Sequence, residues 1–475
     1  MRPRKSTAWS ALAGESTTIG DRMTTRQPNG GIAPCLLRGG TILTLDGDAT
    51  VVEGDLLIVD GEIRRVGTVH DRPSGTRILD VAGCFVLPGL VQGHLHLGQT
   101  LFRGLAEGRR LLAWLRERIW PLEAAHDDES ARWSTLLGAA ECLLSGTTTV
   151  QDIGIGPGSR GLLGALVESG LRAQAGKCLM DGGEGMPAAL CEDTEATLAE
   201  TEELGEAFDG AADGRLSYLL NPRFILSCSD DLWRGVRELA ERRGWAIHTH
   251  ALEQREEVEA VRALKGGRDD VEYFDDNGIL DGDLRVAHGV WLDAGHLDRL
   301  GGRRFSVVHC PGSNLKLGSG IADVVGIRAA GVPVGVGADG AACNNDLDAF
   351  TELRLAALLQ HLRNGPESFS GLDAVRLATS EGARAIGLGA VTGSLESGKA
   401  ADVLVLSRRR PELWSAAADP HDLVAFSASR ADVRHVFVAG EHLVEDGRLT
   451  RLDAAEIRRR SAAALDALLR RAVLA

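Results

Sequence analysis

The chain has 475 residues, 44% of them hydrophobic, so it can bury a large core, and its length predicts one big α/β domain plus a smaller satellite. A formal charge of -15, with no basic stretch beyond the short runs Arg408 to Arg410 and Arg458 to Arg460, argues against a nucleic-acid or anionic-membrane partner. The eight cysteines form no CxxC pair and read as reduced thiols; with no apolar transmembrane window and no signal-peptide core, they predict a cytoplasmic protein.

In chain order, residues 1–34 are rich in Ser, Thr, Gly and Arg with little periodicity and are expected to form a disordered leader, with Met23 inside it. Residues 35–87 read as short strands broken by Gly or Asp-Gly, in CLLRGGTILTLDG, VVEGDLLIVDGEIRRVG and TRILDVAGCFVL. The same texture returns over residues 391–450, in GSLESGKAADVLVLS and HVFVAGEHLVEDGRL, so both chain ends are expected to combine into one β-sandwich. A C-terminal helix is expected over residues 451–475.

Between them, residues 88–390 alternate helix-like stretches, such as Ser130 to Ser145, Asp230 to Arg243 and Leu347 to Leu362, with short apolar runs. Eight such runs, from FVLPGLVQGH through TTTVQDIG, RAQAGKCLMD, LSYLLNPRF, GWAIHTHALE, LRVAHGVWL and RFSVVHCP to VPVGVGADG, predict a parallel sheet closed as a (β/α)8 TIM-type barrel. A doubly wound open sheet is the alternative. Polar residues at the carboxyl ends of these runs favour the barrel, because that edge carries the active site in such folds.

Those ends supply His94 and His96, Asp152, Asp181, Arg223, His248 with His250 and Glu253, His288, His309 and Asp339. Histidines two apart on a strand share a face, so His94 and His96 project together. With His250 and Asp339 they make a ligand set suited to one divalent cation, Zn2+ first and Fe2+ second, which lowers the pKa of water toward 7. Glu253, three residues beyond His250, is placed to shuttle protons, and His288 to orient the attacking water. His248 and His309 read equally well as structural histidines, and Asp152 and Asp181 as loop holders. Lys177 falls on the third run and the fourth carries no lysine, which favours one metal over a lysine-bridged pair.

The segments PGLVQGHLHLGQTLFRG, LLAWLRERIWPLEA, SGTTTVQD, HTHALEQREEVE, VAHGVWL, VVHCPGSNLKLGSGIADV, GADGAACNNDLDAF and GKAADVLVL resemble the metal-dependent amidohydrolase superfamily. The likeness is to its aminohydrolase branch of S-adenosylhomocysteine and 5'-deoxyadenosine deaminases, guanine deaminases and triazine hydrolases, and it spans about residues 36 to 450. It implies metal ligation by His94, His96, His250 and Asp339. It further implies proton transfer through Asp339 and Glu253, a supporting His288, and ammonia release from an aminated heterocycle.

By the same resemblance, Trp114 and Glu123 match positions near a nucleoside's sugar, while Gln99, Arg223 and Phe224 look like guanine-deaminase contacts to a base. The alternative for Arg223 is a salt bridge inside the barrel mouth. The expected activity is therefore hydrolytic deamination of an aminopurine base or nucleoside, by a chain that the resemblance makes a homo-oligomer. The alternatives are amino- or chlorohydrolysis of an s-triazine and a non-catalytic barrel scaffold.

Overall fold

The computed structural model describes residues 32–472, so all but the last three residues of the expected leader lie outside them. Five short strands open the chain: β1 (Cys35–Leu43), β2 (Val51–Val59), β3 (Glu62–Gly67), β4 (Arg77–Asp80) and β5 (Cys84–Pro88).

Parallel strands follow. β6 (Leu90–His96), β7 (Thr147–Asp152), β8 (Arg172–Ala175), β9 (Cys178–Leu179), β10 (Leu216–Tyr218) and β11 (Asn221–Pro222) make the first half. β12 (Ile247–Ala251), β13 (Leu284–His288), β14 (Phe305–His309), β15 (Val334–Val336) and β16 (Asp339–Gly340) make the second. One parallel sheet runs β10-β8-β7-β6-β16 and another β12-β13-β14-β15, with β9 and β11 paired beside them. A parallel bridge from Leu220 to Ile247 links the halves on one side. On the other, Gly337 N–H donates to His309 O at 3.0 Å and β16 pairs with β6. The fold is α/β with parallel sheets consistent with a (β/α)8-type barrel, to which further strands are added.

Those further strands come from both chain ends. β17 (Val403–Ser407) pairs antiparallel with β5 on one side and with β18 (Val433–Val438) on the other, and β19 (Glu441–Glu445) and β20 (Arg448–Leu449) complete a nine-stranded sheet. Leu37, Ile42, Leu56, Val86, Val403 and Phe437 give this sheet a core of its own. The helix Ala454–Arg471 then runs back, and its Ser461 Oγ–H donates to Trp133 O at 3.1 Å.

The run FVLPGLVQGH, read from sequence as one strand, is divided between two sheets. β5 belongs to the nine-stranded sheet and β6 to the parallel one, with Pro88 and Gly89 at the crossing. A Cβ at Gly89 would stand 2.1 Å from Thr148, so only glycine passes there. The third and fourth runs are also interrupted, each by two residues, because the chains cross closely: a Cβ on Gly176 would lie 2.0 Å from Leu219 O.

The helices follow their local signals. Asp128–Leu144 is capped by Asp127, whose carboxylate accepts Ser130 N–H, and Asp230–Arg243 starts on Ser229 and stops on left-handed Gly244. The segment Leu111–Glu123 is helical with a π-turn over Leu115–Ile119. Such turns recur at functional sites, and here Leu111, Trp114 and Leu115 face a cleft at the strands' carboxyl ends.

Candidate active site

β6 is buried on both faces and delivers His94 and His96 side by side, with ring centroids 5.0 Å apart. β12 brings His250, β13 ends on His288 and β16 begins on Asp339. His288 and Asp339 both sit at positive φ, 75° and 62°, an unfavourable backbone for side chains of this kind that is held where it aims a group.

The polar atoms converge. His96 Nε2 lies 3.1 Å from His250 Nε2 and 3.2 Å from Asp339 Oδ1, and His94 Nε2 lies 3.4 Å from the same oxygen. Ligand atoms of His94, His250, His288 and Asp339 all fall within 4.8 Å of one another. His288 thus joins a group of four able to hold an ion, although the sequence expects His96 in that place, and His96 stands directly against two of its members.

The donor set fits a divalent cation. The His250 Nδ1–H donates to Arg223 O at 2.7 Å, which leaves its Nε2 lone pair facing inward. His94 Nδ1 is 2.9 Å from His248 Nε2, and His288 Nδ1 is 2.9 Å from Asn314 Oδ1. The opposite nitrogens, His94 Nε2 and His288 Nε2, are buried without a hydrogen-bond partner, as nitrogens awaiting an ion would be. Burial holds His94, His96 and His250 below the usual imidazole range, so they stay neutral and able to ligate. Against the upward push of its own burial, the imidazoles of His94, His96 and His288 hold Asp339 well below the ordinary carboxylate range. Ser313 Oγ–H donates to its Oδ2 at 2.6 Å.

Glu253 stands beside this cluster, with Oε2 3.5 Å from His288 Nε2 and Oε1 accepting Ser319 Oγ–H at 3.1 Å. Burial pushes its carboxyl up, opposed by His288. A carboxyl shifted in this direction is favoured in its protonated form and can pass a proton to a bound base.

The remaining sequence-derived candidates divide in two. Trp114, Arg223 and Phe224 line the cleft, which encloses about 370 Å³ including its open mouth. Gln99 and Glu123 sit behind them, fully buried: the Gln99 amide donates to Glu123 Oε1 at 2.8 Å and lies 3.1 Å from His96 Nδ1. Arg223 donates to Glu123 Oε2 at 2.6 Å, so the salt bridge weighed as its alternative role is present. One polar chain therefore runs from His96 through Gln99 and Glu123 to Arg223.

Asp152 accepts Leu97 and Gly154 N–H, and Asp181 accepts Ser229 N–H and the hydroxyls of Ser229 and Thr194, so both carboxylates tie loops. Lys177 pairs with Glu192 at 2.8 Å and with Glu200. His309 is buried with neither ring nitrogen bonded. Leu111, Leu115, Leu317 and Glu257 complete the cleft wall and were missed in the sequence. Glu257 carried a usable signal, an acid four residues after Glu253 at the start of a helix.

Residues 85–443 match the Amidohydrolase family. The 5-methylthioadenosine/S-adenosylhomocysteine deaminase of Pelotomaculum thermopropionicum is 36% identical over 434 residues, covering 90% of this chain and 96% of that protein. Its counterpart from Halobacterium salinarum is 38% identical over 428 residues, covering 89% and 95%. Among solved structures, an adenosine deaminase from Xanthomonas campestris with bound zinc superposes with a TM-score of 0.85 at 29% identity, over 92% of this chain and 99% of that one. This chain belongs to the amidohydrolase family.

Proposed function

We propose that this protein is a metal-dependent hydrolytic deaminase of an aminopurine nucleoside or its base. The observation that carries the reading is the placement of Glu253, a buried acid 3.5 Å from His288, at the edge of a cluster of neutral histidines and one ionised aspartate. The deaminase relatives and the zinc-bearing structural neighbour support it.

His94, His96, His250 and Asp339 would hold the ion, with His288 beside it, at the carboxyl end of a closed (β/α)8 barrel spanning residues 88–390. A divalent cation in such a site acts as a Lewis acid and makes water a nucleophile near neutral pH. The protein's own part is positioning and proton traffic. Asp339 accepts the water's proton, and His288 fixes the direction from which water attacks the amino-bearing ring carbon. Glu253 donates to the adjacent ring nitrogen, Asp339 passes the proton it took to the departing amino group, which leaves as ammonia, and the remaining hydroxyl proton returns to Glu253 as the oxo form results. Phe224 and Trp114 offer faces against which a planar ring can pack, and Arg223 a buried donor whose charge Glu123 balances.

The test is ammonia release by the zinc-loaded enzyme from adenosine, 5'-deoxyadenosine, 5'-methylthioadenosine, S-adenosylhomocysteine, guanine, 8-oxoguanine and melamine. Turnover of at least one purine is expected. Ammonia from melamine alone would move the assignment to triazines, and none from any compound would overturn it.

A further inference from the structure

Glu253 follows Leu252, a non-glycine residue at φ 55°, so the chain leaves β12 through a left-handed corner that something must hold. Two ties come from the next strand's exit: Gly289 N–H donates to Ala251 O at 3.3 Å and Trp291 N–H to Leu252 O at 3.0 Å. The third comes from Glu257. Its Oε2 accepts the backbone N–H of Glu253 at 2.8 Å and of Gln254 at 3.2 Å.

The bond to Gln254 belongs to a capping box that starts the helix Arg255–Leu264. A capping glutamate needs no more than that and ordinarily sits in water. Glu257 instead is completely buried, lines the cleft, and makes its shorter bond to the amide of Glu253 itself.

We infer that Glu257 is a positioning residue that fixes the corner aiming Glu253, and that it does so as a neutral acid hydrogen-bonded to Asp270. The inference rests on the deaminase reading for the role given to Glu253. Asp270 opens the helix Asp270–Asp276 and is fully buried, its carboxylate facing the backbone amides of Leu252 and of Asp270 itself, while Glu257 Oε1 is buried without a partner. Two neighbouring buried acids repel when both are charged, and one shared proton relieves that repulsion and gives Glu257 Oε1 a partner. In agreement, burial and the neighbouring Asp270 push Glu257 well above the ordinary range, and burial and Asp269 raise Asp270 to about 7. A neutral Glu257 keeps its carbonyl oxygen for the two amides and turns its O–H toward Asp270.

A glutamine reproduces that pattern, since its amide oxygen accepts and its NH2 donates. Glu257→Ala should therefore lower kcat by roughly tenfold or more with KM and zinc content little changed, while Glu257→Gln recovers most of that loss. In a Glu253→Gln background the alanine change should cost no more than about twofold further, because its effect passes through Glu253. Should Glu257→Ala not fold, Glu257→Met removes the acceptor while retaining volume. Amide hydrogen exchange over residues 252–254 gives a readout independent of turnover, faster in Glu257→Ala and restored in Glu257→Gln. Equal losses in the alanine and glutamine variants, a full multiplicative loss in the double variant, or unchanged exchange would each overturn the inference. Wild-type enzyme that releases no ammonia would instead overturn the deaminase reading, and exchange would still judge Glu257.

Discussion

At the scale of single residues, the site is a set of lone pairs and protons assigned by their second contacts. The Arg223 carbonyl decides which nitrogen of His250 faces inward, and Asn314 and His248 bear on His288 and His94 in the same way. Glu253 differs in that its carboxyl is held by a single hydroxyl, and burial favours its protonated form. Replacing it by glutamine keeps the shape and removes the proton. Glu253→Gln is accordingly expected to retain zinc and fold while losing roughly 10²- to 10⁴-fold in kcat, measured by ammonia release beside metal analysis. A kcat close to wild type would place the proton donor elsewhere.

At the scale of elements, the corners after the strands matter more than the strands. Asp152 shows how they are fixed: at the end of β7 it accepts Leu97 N–H at 2.7 Å and Gly154 N–H at 2.8 Å, joining the loop after the metal-binding strand to its own. Burial raises this carboxyl to about 7, against which the two amides work. A carboxylate raised in the folded state binds a proton there that the unfolded chain has released, so stability falls as pH rises from about 4 to about 7. Asp152→Asn removes this dependence. The difference in Tm between variant and wild type should therefore shift in the variant's favour, by the equivalent of several kcal/mol, as pH climbs through that window and level off above it. Thermal unfolding of both proteins at pH 4.5, 6 and 8 measures it, and a constant difference would show Asp152 charged throughout.

At the scale of the whole molecule, two cores meet where β5 passes into β6, and the nine-stranded sheet draws its strands from both ends of the chain. The cluster of His94, His96, His250, His288 and Asp339 ties β6, β12, β13 and β16 together from opposite halves of the parallel sheets. An ion held there binds only the folded chain, so it stabilises by mass action, by about 2.7 kcal/mol at a hundredfold excess over Kd. Removing it with a chelator is expected to lower Tm by several degrees, and adding Zn2+ to restore it, read by calorimetry. An unchanged Tm with measured loss of metal would mean that the ion does not bridge the halves. No helix among the described residues is long and apolar enough to cross a membrane.

The sequence by itself determined the parts governed by local spacing. The two-residue interval of His94 and His96, the Gly-punctuated strands at both ends and the caps on the long helices are one-dimensional signals, and the helix over Asp230–Arg243 lies where its periodicity places it. The convergence of His250, His288 and Asp339 was legible because strands ending in ligands repeat along the chain. Only the tertiary structure decided which polar residues face the cleft and which stand behind it. Glu123 and Arg223 are 100 residues apart, and their buried pairing depends on loops whose approach no periodicity encodes. The split at Gly89 and the cradle of Glu253 by Glu257 were decided the same way, by contacts across the fold rather than by pattern along it.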